Sequence, residues 1–194
     1  MTMRRSLLVA AFGAFSGHRH NPAEIVVRRL EREKRFFALA GVDLHVVVLP
    51  VEYFALSPTL SRTFARTSPD AVLLLGVAGR RQKLTIETLA RNRVSILKPD
   101  AARQRAYCRF IVHGGPDVLR AAPSTAQLAA LARRNGLPAA LSRDAGDYLC
   151  NESLYLSLLM DRRACFLHLP NWRGAALKRA TRVILCMARA FAIE

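Results

Sequence analysis

The sequence predicts an α/β fold, a three-layer α/β/α sandwich with a mainly parallel, twisted sheet. Short, continuous aliphatic runs between turn-forming residues, such as 44–50 and 71–76, are typical of strands buried on both faces. They alternate along the chain with amphipathic stretches that carry helix-starting and helix-ending residues, and this alternation favours a sheet covered by helices on both sides. The chain shows no repeat, linker or low-complexity tract, so its 194 residues are expected to form one domain, 1–194.

The first strand and the first helix are predicted from residues near the N-terminus. Residues 7–12 are a short apolar run, as expected for a buried strand. Asn21 can then cap a helix in which Pro22 takes the first position, and Gly41 stops the pattern. Apolar residues recur between them at steps of three and four, which predicts one continuous helix.

The remaining elements follow from the same signals of apolar runs, caps and breakers. Strands are predicted at 44–50, 71–76, 137–142 and 164–170, a strand or hairpin at 105–116, and helices at 58–66, 124–136, about 148–160 and 175–192.

The first 17 residues allow two interpretations. Two arginines, a short apolar run and small residues are typical of a signal peptide, but the same apolar run fits a buried first strand. No apolar run reaches the roughly 18 residues that a membrane span requires, which excludes a transmembrane anchor.

The chain is strongly basic. Its 30 lysines and arginines against 14 acidic residues give a net charge of +16, which raises affinity for any polyanion. A nucleic-acid binder is therefore one hypothesis. The arginines are scattered in ones, twos and threes and rarely alternate with exposed-looking aromatic residues, and no nucleic-acid motif is present. We expect a solvated basic surface and no specific nucleic-acid partner.

The cysteines argue against a disulfide framework and against zinc. Cys108, Cys150, Cys165 and Cys186 are widely spaced, with no Cys-x-x-Cys pair and no neighbouring His-x-Cys cluster. A reducing compartment fits this pattern better. Three of the four lie inside apolar runs and are expected to be packing residues.

Cys150 differs because it falls in the first turn of the predicted helix at 148–160. It follows the strand at 137–142, and His168 ends the strand at 164–170, so both are expected at the edge of the sheet where strands end. A thiol at a helix N-terminus beside an imidazole is stabilised as the thiolate and can act as a nucleophile. A small buried hydrophobic residue is the alternative for Cys150.

A cysteine and histidine pair usually needs a third group that orients the imidazole. Glu87 is an isolated carboxylate in an otherwise basic or apolar stretch, and Asp100 is the second candidate. Spacing alone does not choose between them, and either could be a surface charge.

Four blocks of the sequence resemble, in order, the motifs of pyroglutamyl peptidase I, the pyrrolidone-carboxylate peptidase family of cysteine peptidases. They are "AFGAFSGHRHNPAE", "PDAVLLLGVAGRRQKLTIETLARN", "SRDAGDYLCNESLYLSL" and "FLHLP", and the resemblance covers nearly the whole chain. The last two blocks, around Cys150 and His168, are the most specific.

The resemblance implies an α/β fold with Cys150 as nucleophile, His168 as general base and acid, and Glu87 as the orienting carboxylate. Phe12 and Phe15 match the aromatic residues that flank the pyroglutamyl ring in this family. The reaction implied is removal of an N-terminal pyroglutamate, or a similar acyl group, from a peptide through a thioacyl intermediate. No metal or organic cofactor is implied.

The resemblance also favours a retained N-terminus, because loss of residues 1–17 would remove the first strand and both phenylalanines. We therefore expect a cytoplasmic protein with no membrane partner, and leave open whether it forms a homo-oligomer.

Two departures from the family pattern bear on substrate binding. Val77 replaces a glutamine after the strand glycine, and Leu97 replaces an arginine ahead of Pro-Asp. Ala11, Ala14 and Ser16 replace residues of the N-terminal loop motif. We expect weakened or altered specificity, with Arg81, Arg93 and Lys98 as potential replacements for the missing cation. The alternative is a non-catalytic or diverged relative that binds an acidic partner or another acyl substrate.

Overall fold

The fold is described by a computed structural model, which covers residues 4–14 and 21–194. The helices and strands of these residues are, in chain order, β1 (Arg5–Phe12), α1 (Pro22–Glu31), α2 (Lys34–Ala38), β2 (Val42–Leu49), α3 (Tyr53–Thr67), β3 (Ala71–Val77), β4 (Leu84–Glu87), β5 (Leu89–Arg91), β6 (Val118–Arg120), α4 (Thr125–Arg134), β7 (Ala139–Ser142), α5 (Leu149–Leu159), β8 (Arg163–Leu169) and α6 (Gly174–Ile193).

Six of the strands form one sheet in the order β2-β1-β3-β8-β4-β7. Neighbouring strands from β2 to β8 are parallel, β4 is antiparallel to β8, and β7 is parallel to β4. The sheet is therefore mainly parallel, and the predicted α/β class is confirmed. Strands β5 and β6 form a separate antiparallel pair.

Helices cover both faces of the sheet because successive side chains of a strand point to opposite faces. On β1, Leu7 and Val9 pack into a core closed by α1, α2, α4 and α6, whereas Leu8 and Ala10 pack into a second core closed by α3 and α5. The central strands are buried on both faces, which explains their continuous aliphatic sequences.

The predicted helix at 21–41 is divided into α1 and α2. It begins as expected, with the Asn21 side chain accepting a hydrogen bond from the Ala23 backbone N–H at 2.9 Å. The next positions on its buried face after Leu30 are Glu33 and Lys34, so a continuous helix would point charges into the core. The turn between the two helices falls at this charged stretch, and Phe37 of α2 is fully buried on the far side of it.

The predicted strand or hairpin at 105–116 is wrong. This segment is irregular, because the side chain of Asn92 takes the backbone groups that a neighbouring strand would take. Its amide nitrogen donates to the carbonyls of Val112 and Gly115, and its oxygen accepts from the N–H groups of Ile111 and Val112, at 2.8–3.1 Å.

Helix α3 is longer than predicted and continues through Pro58. Within the described ranges, no helix is both long and apolar enough to cross a membrane.

Candidate active site

Cys150 lies in the first turn of α5, over the end of β3. A Cβ atom built on Gly76 would be 3.1 Å from the Cys150 Sγ and 2.7 Å from the Phe166 ring. Gly76 is paired directly with His168 across β3 and β8. The thiol and the imidazole therefore lie over the same face of the sheet, and the absence of a side chain at Gly76 leaves the space that the thiol occupies.

The route by which the chain brings Cys150 to this place differs from the sequence prediction. Strand β7 is antiparallel to β8, so the carboxyl ends of the two strands do not meet at one edge of the sheet. Residues 143–148 lead from the end of β7 to the N-terminus of α5. Cys150 and His168 do lie over the same face of the sheet at Gly76, but this loop is the reason for it.

His168 is oriented by Glu87. The imidazole Nδ1 is 2.8 Å from the Glu87 Oε1, and both side chains are buried. Glu87 comes from β4, which pairs with β8 so that Glu87 lies opposite Phe166. The Phe166 and His168 rings are 4.6 Å apart and pack against each other, which fixes the imidazole from a second side.

Asp100 is not the orienting group. Its two carboxylate oxygens accept hydrogen bonds from the backbone N–H groups of Tyr53, at 3.0 Å, and Gln104, at 2.8 Å. Asp100 thus satisfies the N-terminus of α3, where unpaired N–H groups favour a negative charge.

Arg81 contacts the same oxygen of Glu87 as the imidazole does. Its Nη1 is 2.5 Å from Glu87 Oε1, and its Nη2 donates to the Asp144 carbonyl at 2.9 Å. The Asp144 side chain in turn accepts from Arg93 at 2.8 Å. Arg81 therefore joins the buried carboxylate to the loop that precedes Cys150.

The pKa of the Cys150 thiol is raised to about 12, chiefly by burial and also by the negative charge of Glu87, while Arg81 and the thiol's own backbone N–H act to lower it. We expected the helix N-terminus and His168 to stabilise the thiolate, but desolvation outweighs these effects. The free protein therefore holds Cys150 as a neutral thiol. Among the described residues, no hydrogen bond joins Sγ to the imidazole, a loose arrangement that is common in unliganded sites.

A small cavity of about 60 Å³ opens at Cys150. Two of the predicted substrate-binding residues, Phe12 and Val77, line it. Leu97 does not line it and is 76% exposed, and Phe15 lies outside the described residues. The other lining residues are Asn21, Val51, Gly76, Tyr148 and Leu149.

The three cations proposed as replacements at Leu97 are all paired with carboxylates. Arg81 contacts Glu87, Arg93 contacts Asp144, and Lys98 contacts Asp147.

Asn151 supports the site in a way that the sequence reasoning missed. Its side chain accepts from the Arg91 N–H and donates to the carbonyls of Arg91 and Arg93, at 2.8–2.9 Å. These bonds fix the first turn of α5 to the segment after β4. The signal in the sequence was the Cys-Asn pair itself, because an amide has both the donors and the acceptor that backbone anchoring needs.

Comparison with known proteins agrees with this geometry. The family model for pyroglutamyl peptidase matches residues 5–187. The chain is 33% identical over 179 residues to a pyrrolidone-carboxylate peptidase of Thermococcus onnurineus, covering 89% of this chain and 87% of that protein. It is also 33% identical over 171 residues to pyrrolidone-carboxylate peptidase 1 of Streptococcus pneumoniae, covering 84% of this chain and 77% of that one.

A solved structure extends the likeness to three dimensions. The crystal structure of pyrrolidone carboxyl peptidase from Thermus thermophilus has a TM-score of 0.81 and 36% identity, and the match covers 97% of this chain and 98% of that chain. The family model spans most of the sequence, and the shared fold surrounds Cys150, His168 and Glu87. This chain therefore belongs to the pyroglutamyl peptidase family.

Proposed function

We propose that this protein is a cysteine peptidase that removes an N-terminal pyroglutamate from peptides, with Cys150, His168 and Glu87 as its catalytic residues. One observation carries the proposal: a buried carboxylate holds the His168 imidazole at 2.8 Å on the face of the sheet where the Cys150 thiol lies over Gly76. This arrangement supplies a nucleophile, a base and an orienting group.

Acylation begins at the neutral thiol. As Sγ attacks the carbonyl carbon between pyroglutamate and the next residue, its proton passes to Nε2 of His168, while Nδ1 keeps its contact with Glu87. The C–N bond then breaks, and the imidazolium gives its proton to the departing amine. The result is a thioester between Cys150 and the pyroglutamyl group, together with a peptide shortened by one residue.

Hydrolysis of the thioester follows the reverse order. A water molecule attacks the thioester carbonyl and gives one proton to His168. The C–S bond breaks, pyroglutamate leaves with a new carboxyl group, and the proton returns to Sγ. Both steps place negative charge on the carbonyl oxygen. The first backbone N–H groups of α5 have no side-chain cap from Tyr148, so they are available to hold that oxygen.

The cavity accounts for our expectation of weak activity. The ring to be recognised has one lactam N–H and one C=O, and Val77 presents only methyl groups where a glutamine would pair with them. A buried amide group left without a partner costs about 1–3 kcal/mol. The cavity is also small, at about 60 Å³.

The test is hydrolysis of a pyroglutamyl reporter amide by the purified protein, with Cys150→Ser as the control. We expect turnover that depends on Cys150, with kcat/KM below about 10⁴ M⁻¹s⁻¹. Hydrolysis that persists in Cys150→Ser would contradict the proposed nucleophile. Efficient turnover by the unmodified protein would contradict only the expected effect of Val77.

A reducing compartment such as the cytoplasm suits this chemistry. All four cysteines are free; Cys165 is buried, whereas Cys108 and Cys186 are exposed, so the expectation that these two are packing residues is wrong. An oxidising compartment would favour disulfides at these thiols and at the nucleophile.

A further inference from the structure

We propose that Arg81 is a positioning residue for the proposed reaction, which ties the orienting carboxylate to the loop that delivers the nucleophile. The inference rests on the proposed function and starts from a contact that the mechanism above does not use. Arg81 and His168 share the single oxygen Oε1 of Glu87, whereas the buried Oε2 has no hydrogen-bond partner in the described part of the chain.

The charge balance at Glu87 requires a cation. Glu87 is completely buried, and a buried carboxylate without a partner is strongly unfavourable. Arg81 is the arginine that contacts it, and this side chain is 29% exposed, so it can stay hydrated at one end while it neutralises the carboxylate at the other. The other titratable groups that act on Glu87 or feel its charge are His168, Cys150 and Cys165.

The position of Arg81 is fixed by the backbone. The Arg81 N–H donates to the Ala78 carbonyl at 2.8 Å, and the Ala78 N–H donates to the Leu169 carbonyl at 2.9 Å. A tight turn at the end of β3 thus holds the guanidinium beside the end of β8, where His168 lies. From there the second amino group reaches the Asp144 carbonyl.

Arg81 therefore has two separable effects. Its charge offsets that of Glu87, which otherwise raises the pKa of Cys150. Its two hydrogen bonds also join Glu87 to the loop at 143–148, which a lysine could not do, because one ammonium group cannot match both directions of a guanidinium fork.

The test uses Arg81→Met, Arg81→Lys and the matched control Arg80→Met, all in a background with Cys108→Ser and Cys186→Ser. Arg80 is the exposed neighbour of Arg81. The rate of Cys150 alkylation by iodoacetamide is measured from about pH 7 to about pH 11, which approaches the raised pKa of the thiol, and kcat/KM is measured in parallel. Circular dichroism establishes that each variant folds.

We expect Arg81→Met to move the alkylation profile about one unit to higher pH. We also expect it to lower kcat/KM about tenfold, which is less than the full contribution of general acid–base catalysis to the rate. Arg81→Lys should keep the profile of the unmodified protein and still lose turnover. An unchanged profile in folded Arg81→Met, or an equal shift in Arg80→Met, would overturn the inference. Arg81→Gln replaces the Met variant if the latter does not fold. The alkylation result stands even if no pyroglutamyl substrate is cleaved.

A second inference comes from a different part of the surface. We infer that a basic aromatic rim, defined as Phe54, Arg103, Arg105, Tyr107 and Arg109, binds acidic residues that follow the pyroglutamate of a substrate peptide. This inference also rests on the proposed function, because the cavity at Cys150 is small, and the residues that follow the pyroglutamate must lie on the adjoining surface.

The rim is connected to the cavity through residues that precede it in the chain. Tyr148, which lines the cavity, packs edge-on against Tyr53 at 5.6 Å. Phe54 follows Tyr53 and stacks on Tyr107, with ring centroids 4.6 Å apart. The carbonyl of Val51, another lining residue, accepts from the Ala101 N–H at 2.9 Å.

The rim is exposed and its positive charge is not neutralised. Tyr107 is 89% exposed. In residues 4–14 and 21–194, Arg103, Arg105 and Arg109 form no salt bridge, whereas the nearby Arg93 and Lys98 do. These three exposed arginines lie close together in the sequence, and guanidinium groups suit carboxylates.

The test measures binding of fluorescent peptides to Cys150→Ala, which prevents turnover. Pyroglutamyl and N-acetylated peptides carry either two glutamates or two lysines after the first residue. A variant with Arg105→Glu and Arg109→Glu is compared with a control that has Arg134→Glu and Arg179→Glu, a matched charge change on α4 and α6, which cover the opposite face of the sheet.

We expect the acidic peptides to bind about tenfold more tightly than the basic ones. Each exposed ion pair between a glutamate and a rim arginine contributes little, but several together reach this difference. Arg105→Glu with Arg109→Glu should abolish the preference, and the control should keep it. Equal affinities, an equal loss in the control, or tighter binding of an oligonucleotide than of the acidic peptide at about 0.15 M salt would overturn the inference. A preference for pyroglutamyl over acetylated peptides tests the proposed function separately.

Discussion

Replacement of Glu87 by glutamine is expected to make the nucleophile easier to ionise and the enzyme slower. Glutamine keeps the size of the side chain and removes its charge. The negative charge of Glu87 is one of the causes that raise the pKa of Cys150, so its removal should lower that pKa. We expect the pH profile of Cys150 alkylation to move to lower pH by about one unit.

Turnover should change in the opposite sense, because the 2.8 Å contact with Glu87 holds the imidazole in the orientation that accepts the thiol proton. An amide can present its NH₂ group to Nδ1 and favour the wrong tautomer. We expect kcat to fall about 10²- to 10⁴-fold. The free energy of unfolding should fall by about 1–3 kcal/mol, because Arg81 loses its charge partner but remains partly hydrated.

The assays are alkylation rate against pH, steady-state turnover and urea unfolding, with Cys108→Ser and Cys186→Ser as the background. Asp100→Asn is the matched control, because Asp100 is also a buried carboxylate but bonds only to the backbone N–H groups of Tyr53 and Gln104. The Asp100→Asn variant should have a lower free energy of unfolding and an unchanged alkylation profile. A kcat within about threefold of the unmodified value for Glu87→Gln, or an alkylation shift to higher pH, would refute the reasoning.

Three further outcomes follow from single residues. Gly76→Ala places a methyl group 2.7 Å from the Phe166 ring, so unfolding experiments should show a loss of about 1–3 kcal/mol, and displacement of the thiol should abolish turnover. Val77→Gln restores a polar partner in the cavity and should raise kcat/KM for a pyroglutamyl amide about tenfold; an unchanged value would exclude Val77 as the cause of weak activity. Burial raises the pKa of Glu152 to about 7, so the folded state keeps a proton that the unfolded chain releases above about pH 4.5. Stability should fall by about 2–3 kcal/mol between these two pH values, and Glu152→Gln should remove that slope in denaturation experiments.

Two strands of the parallel part of the sheet could be predicted from their apolar runs. Residues 71–76 match β3, which is buried on both faces, and residues 44–50 match β2, an edge strand that is partly exposed at its middle residues. Strand β4 could not be predicted in the same way. It has four residues, one of which is the catalytic candidate Glu87, so its composition reflects chemistry as much as the sheet.

The sequence pointed to Cys150, His168 and Glu87 but not to the path of the chain that brings them to one face of the sheet. We expected Cys150 and His168 to lie close together because both follow strand ends. In the structure, the loop at 143–148 brings Cys150 to the face where His168 lies. The choice of Glu87 over Asp100 depends on which carboxylate faces the imidazole, and sequence spacing carries no such information. The raised pKa of Cys150 was also missed, since the helix position is visible in the sequence but the extent of burial is not.

The reversal of strand direction between β8 and β4 gives the molecule a seam. Four parallel strands lie on one side of it and two short strands on the other, and the two blocks meet at three residue pairs, Thr85 with His168, Ile86 with Leu167, and Glu87 with Phe166. His168 belongs to the larger block and Glu87 to the smaller one. A local opening along this line would separate the imidazole from its carboxylate while the larger block stayed folded. If these are the catalytic residues, as proposed, we expect denaturant to inactivate the enzyme before the larger block unfolds.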